Sequence, residues 1–288
     1  MRSSTPITLM IVLATAVAAA EPAPTRLAAI GYHLQVGPMG PVGGDTLFLV
    51  HVSPDRRSAL ALTAAHCDPR AGDPVAFPSV EAGEVRGSVS RVIAQSTRLD
   101  YSLLSIRLDE PIAARPIPAV GDHLPTAGKV ASFGWVPGAY GMRLRSDRNE
   151  MRLRPGISRV RYPESPYRGI RDAVPAGLLN PFLMFTPLAG MPVKIGFAQP
   201  PDVRRVTVAA FQLDGGPGMS GGPILDGEGR AVAHISGGDY HGTAGVPTAL
   251  VVRDVARRLG GLYGEPRAMV RDWLSTVRYR VRGGRPLK

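Results

Sequence analysis

The sequence predicts an all-β fold with helices only at its C-terminal end, and three observations carry that expectation. The 288 residues include 34 Gly and 28 Pro but only 20% charged residues, a mix that supplies many turns and few long helices. Short apolar runs bounded by turn residues recur along the chain, with the length and β-branched content of strands in a sandwich or barrel. Helical periodicity is confined to the last forty residues.

In chain order, residues 1–20 read as a secretory signal peptide. Arg2 gives a positive start, Ile7 to Val17 form a short apolar stretch, and Ala18-Ala19-Ala20 precede Glu21. No other segment approaches the ~20 apolar residues of a membrane span, so none is expected after cleavage. A secreted or periplasmic location follows. Cys67 is the single cysteine, which rules out an internal disulfide and leaves stability to packing.

The expected strands include Thr46–Val52 (TLFLVHV), Ala59–Ala64 (ALALTA), Tyr101–Leu108 (YSLLSIRL), Lys129–Trp135 (KVASFGW), Val206–Phe211 (VTVAAF) and Ala231–Ser236 (AVAHIS). Residues 136–199 hold nine arginines between 143 and 171 together with several prolines. They read as one or two long surface loops inserted in a β-domain. Val251, Val255 and Leu259 recur every four residues until Gly260-Gly261 stop the helix. A second helix starts near Pro266 and aligns Met269, Trp273 and Val277 for core packing.

The formal net charge of +11 is almost wholly arginine, with lysine only at 129, 194 and 288. A basic surface suits nucleic acid or another anionic partner. The sparse aromatics (6%) and the lack of any nucleic-acid-binding signature argue against nucleic acid.

Residues 216–223, GPGMSGGP, set one hydroxyl among four glycines. A serine presented for chemistry needs a base, because its hydroxyl is a poor nucleophile at its free pKa. That base is expected to be a histidine oriented by a carboxylate. Of the six histidines, His66 stands out in LTAAHC, where an apolar strand delivers a polar residue to its end. Asp100, in LDYSLLSIRL, opens the next clear strand and can be half buried, as an orienting acid must be.

LTAAHC, then D-x-(S/A)-L-L, then G-x-S-G-G-P, in that order, resemble the trypsin/chymotrypsin-like serine proteases, from about residue 40 to 258 apart from the arginine-rich insert. The resemblance implies two six-stranded antiparallel β-barrels, followed by the C-terminal helices. The N-terminal barrel, 21–117, would hold His66 and Asp100. The second, 118–247 with the insert 136–199, would hold Ser220, and residues 248–288 the helices and basic tail. It implies Ser220 as nucleophile, His66 as general base then acid, and Asp100 as orienting carboxylate. The N–H groups of Gly218 and Ser220 would form the oxyanion hole, Ser236 would support Asp100, and Gly237 and Gly238 would pair with substrate backbone. Asp214, six residues before Ser220, stands where trypsin-like members select Arg or Lys. A turn role before Gly215-Gly216 is the equal alternative.

Two departures point to a disulfide-free bacterial branch of the family. Cys67 lacks its usual partner, and Met219 replaces the aspartate that pairs with a newly cut N-terminus in the digestive enzymes. Activity is therefore expected not to depend on such a cut. The function expected is a secreted serine endopeptidase acting on proteins or peptides, with no metal and no cofactor. The alternative is a non-catalytic protein of the same fold that holds an anionic partner on its arginine-rich insert.

Overall fold

A computed structural model describes residues 27–37, 40–79, 83–121, 124, 127–138, 141–152, 158–163, 174–175, 192–193, 203–211, 213, 215–216, 218–239 and 242–277. The expected signal peptide, Asp214 and much of the insert lie outside the described residues. No helix among the described residues is long and apolar enough to cross a membrane.

Six antiparallel strands close into a barrel. They are β1 (Ile30–Gly37), β2 (Gly40–Val52), β3 (Ser58–Thr63), β4 (Pro74–Ser79), β5 (Gly83–Ser96) and β6 (Tyr101–Leu108), in the order β1-β2-β3-β6-β5-β4. The pairs Tyr32↔Ala76 and His33↔Val75 join β4 back to β1, which removes both sheet edges. Phe48, Leu60, Leu62, Phe77, Leu103, Leu104 and Ile106, drawn from both faces of the strands, are buried in one apolar cluster. β2, β3 and β6 match expected runs because burial on both faces makes them continuously apolar. β5 escapes that search: it alternates Gly, Ser and Arg with Val85 and Val89, which are buried.

The second sheet has seven strands. β7 (Ala127–Gly138), β8 (Gly141–Arg152), β9 (Ser158–Pro163), β12 (Val203–Phe211), β13 (Pro223–Asp226), β14 (Ala231–Asp239) and β15 (Gly242–Pro247) run in the order β8-β7-β13-β14-β15-β12-β9. A short pair, β10 (Val174–Pro175) and β11 (Pro192–Val193), stands apart. Among the described residues this sheet is open, with β8 and β9 at its ends, rather than a second closed six-stranded barrel.

The insert also differs from the expected loops. β8 pairs with β7 along its whole length, from Ala127↔Arg152 to Gly138↔Gly141, and β9 pairs with β12. β7 is already held by β13 on one side and offers its other edge to β8. Backbone pairing needs no apolar run, so four arginines in a twelve-residue strand hid it from a hydrophobicity pattern.

Helix α1 (Thr248–Arg258) ends in a 3₁₀ turn over Leu259–Gly261, and α2 (Gly264–Thr276) follows. Met269, Val270, Trp273 and Val277 are buried in the same cluster as Phe48 and Leu62, so α2 caps the first barrel. Burying a side chain of that size contributes about 1.5–3 kcal/mol. α1 reaches the barrel with one polar contact: the buried Tyr101 hydroxyl donates to Asp254 Oδ2 at 2.6 Å.

Candidate active site

β3 ends at Thr63, and a 3₁₀ turn over Ala65–Cys67 carries His66. Asp100 closes the turn between β5 and β6 with φ 44°, a left-handed conformation that Asp tolerates better than most residues. That conformation is held by polar contacts on every side. The His66 backbone N–H donates to Asp100 Oδ1 at 2.9 Å, and His66 Nδ1 donates to Oδ2 at 2.8 Å. Ser236 Oγ also donates to Oδ2. The Asp100 carbonyl accepts from His234 Nε2 at 2.8 Å.

The chemistry follows from the donors. Asp100 is fully buried, and ionised it is an acceptor only, so Nδ1 of His66 carries a proton and, in the neutral ring, the lone pair sits on Nε2. The His66 side chain is 25% exposed, so that lone pair belongs to a residue open to solvent. His234 is wholly buried against the Asp100 backbone. Burial pushes its pKa down, and the bond to a carbonyl places its proton on Nε2. It is a neutral prop.

The Ser220 turn is tied to the same place from two directions. Gly221 N–H donates to Ile235 O at 2.7 Å, and Ile235 N–H donates to Gly222 O at 2.8 Å. This seats the turn one residue from Ser236, the extra residue of a β-bulge in β14; such bulges re-aim side chains beside active sites. From the other side, Thr46 N–H donates to Ser220 O at 3.0 Å. Gly221 has φ 84°, and a Cβ there would lie 2.2 Å from Thr46 O, 2.3 Å from Thr63 Oγ1 and 2.9 Å from Ala64 N. Only glycine lets the turn press against the segment that leads into His66. Residues 66, 100 and 220 therefore share one neighbourhood.

Gly218 takes φ 88°, and its carbonyl accepts from Thr46 Oγ1 at 2.7 Å. Among the described residues, neither the Gly218 nor the Ser220 N–H donates to another protein group. Met219 is fully buried in an apolar cluster with Phe211, Leu213 and Ile224. Gly237 and Gly238 pair with Ala244 and Thr243 of β15, while β13 covers β14 only as far as His234. Beyond Ile235 the other edge of β14 carries no strand among the described residues.

Sequence reading missed a buried cluster beside the His66 turn. His33 Nδ1 lies 2.9 Å from Asp45 Oδ2, and Nε2 lies 2.8 Å from Asp73 Oδ2, all three residues buried. Gln35 links the cluster to the turn by donating to Cys67 O at 2.8 Å. Burial pushes the Cys67 thiol well above its usual pKa, and the negative charges of Asp45 and Asp100 add to it. No single-sequence pattern pairs position 33 with 45 and 73.

Burial by itself would lower the His33 pKa; the charge of Asp45 and hydrogen bonds to both carboxylates overcome it and hold the imidazole at about 9. A folded pKa above the unfolded value of ~6.5 contributes stability that is whole below that pH and is lost as pH rises through about 9. Unfolding free energy is expected to fall by a few kcal/mol, order of magnitude, across that window. Urea unfolding at pH 6, 7.5 and 9 measures it, and His33→Gln should flatten the decline.

No protein-family model matches the chain, and no curated protein is similar to it in sequence. Solved structures are similar to it in fold. The Rv3671c protease from M. tuberculosis in its active form superposes with a TM-score of 0.50 at 17% identity, covering 88% of this chain and 93% of that one. Deg5 gives a TM-score of 0.45 at 14% identity, covering 80% and 88%. The HtrA-type protease AlgW with a tripeptide gives 0.43 at 13% identity, covering 81% and 61%.

Proposed function

The chain has the trypsin/chymotrypsin-like serine-protease fold, and we propose that it is a secreted serine endopeptidase working through an acyl-enzyme. In this reading Ser220 attacks the scissile carbonyl, and His66 Nε2 takes its proton and returns it to the leaving amine. Asp100 holds the tautomer and stabilises the imidazolium. The Gly218 and Ser220 N–H groups receive the oxyanion, and water then releases the acyl group. The chain divides into a base-bearing unit, 21–117, and a nucleophile-bearing unit, 118–247, followed by the helices and tail of 248–288.

The observation that carries the reading is the grip of one buried carboxylate on both the backbone and the ring of His66. That arrangement fixes the tautomer a general base requires, with Nδ1 as the donor and Nε2 left as the acceptor of the neutral ring. The uncovered edge of β14 at Gly237 and Gly238 suits an extended peptide added as a strand. Asp214 is proposed to favour Arg or Lys in the substrate.

An apolar, fully buried Met219 has no charge to offer a new N-terminal ammonium. Chains starting at Glu21 and chains with extra residues ahead of it are therefore both expected to react with a fluorophosphonate probe, the label mapping to Ser220 by mass spectrometry. Reaction only after trimming contradicts the N-terminal argument. A folded chain that takes no label in either form is the non-catalytic binder instead.

A further inference from the structure

We infer that the Thr46 side chain is a positioning residue for the oxyanion turn. The inference rests on the protease reading above, in which Gly218 and Ser220 supply the oxyanion donors. Thr46 lies in β2 of the closed barrel and is fully buried, yet every polar atom it owns is engaged. Its N–H donates to Ser220 O at 3.0 Å, and its carbonyl accepts from Thr63 Oγ1 at 2.8 Å. Its hydroxyl accepts from Trp135 N–H at 2.7 Å and donates to Gly218 O at 2.7 Å.

The hydroxyl hydrogen has one place to go. The Trp135 amide can only donate, so it takes a lone pair of Oγ1, and the threonine proton is directed at the Gly218 carbonyl. Two carbonyls of the turn, at 218 and 220, are thus held by one residue of the other sheet. The peptide between Met219 and Ser220 lies between these two anchors, and the Met219 carbonyl accepts from Gly222 N–H at 2.9 Å. That peptide carries the Ser220 N–H. Gly218 at φ 88° has no side chain of its own to fix its rotation. The hydroxyl does so from outside.

An oxyanion donor works because it is aimed before the charge develops, and losing one such donor costs about 10²–10³ in rate. Loss of the hold rather than of the donor should cost less. Thr46→Val is expected to lower kcat about 10–100-fold with KM unchanged. Thr46→Ser, which keeps the hydroxyl, should return kcat to within about 3-fold of the natural chain. Both are assayed with peptide substrates at a temperature where circular dichroism shows the variant folded.

Wild-type kcat in Thr46→Val, a change confined to KM, or a tenfold loss in Thr46→Ser each overturns the inference. The serine variant decides the matter if the valine variant does not fold. Amide hydrogen exchange across 216–222 separates this inference from the protease reading. Faster exchange there in Thr46→Val than in Thr46→Ser supports the hold even in a chain that cleaves nothing. Equal exchange defeats it.

Discussion

Ser220→Ala is expected to lower kcat on peptide substrates by on the order of 10⁶-fold and to abolish fluorophosphonate labelling. The fold should be left intact. The contacts named as seating the turn do not use the Ser220 side chain: Ser220 O to Thr46 N–H, Gly218 O to the Thr46 hydroxyl, Gly221 N–H to Ile235, and Gly222 O to Ile235. Alanine keeps all of them, and Ser220 is only partly buried, so no polar group is stranded. A surface-type change of this kind moves stability by no more than about 0.5 kcal/mol. Thermal unfolding alongside kinetics therefore separates lost chemistry from lost structure. Full labelling of the alanine variant would place the nucleophile elsewhere.

Asp100→Asn is expected to cost about 10⁴-fold in kcat with little change in KM, and the site's geometry says why. The His66 backbone N–H, 2.9 Å from Oδ1, is a fixed donor, so the asparagine carbonyl must face it. The amide NH₂ then occupies the Oδ2 position, opposite Nδ1 of His66 and the Ser236 hydroxyl. Against a donor, Nδ1 becomes an acceptor and the ring proton moves to Nε2. The histidine then has no lone pair to offer Ser220. Asparagine tolerates φ 44° as aspartate does, so the backbone need not shift. The activity of Asp100→Asn, measured from pH 6 to 10, should stay low throughout. A variant within tenfold of the natural rate would remove Asp100 from the mechanism.

How much was legible in the sequence depended on where each signal is stored. β2, β3 and β6 announce themselves because both faces are buried and the runs are apolar. β8 does not: its place comes from the free edge of β7, and its arginines look like a loop. His66, Asp100 and Ser220 stand in short boxes where neighbouring residues shape one turn each. Their supports do not. Thr46 reaches Gly218 across 172 positions, and His234 reaches Asp100 across 134. Nothing local marks either residue.

By itself the sequence determined the strand-rich character, the C-terminal helices and the absence of an internal disulfide, and it singled out three residues as candidates for the chemistry. These are properties of composition, periodicity and a few consecutive residues. The tertiary structure alone decided that, among the described residues, the second sheet is open across seven strands, that His234 is a buried prop, and that Thr46 clasps the Ser220 turn. It also set an ionisable His33 between two carboxylates. The physical reason is that hydrogen bonds between distant residues depend on register and packing. Those are settled only once the barrel closes and the second sheet lies against it.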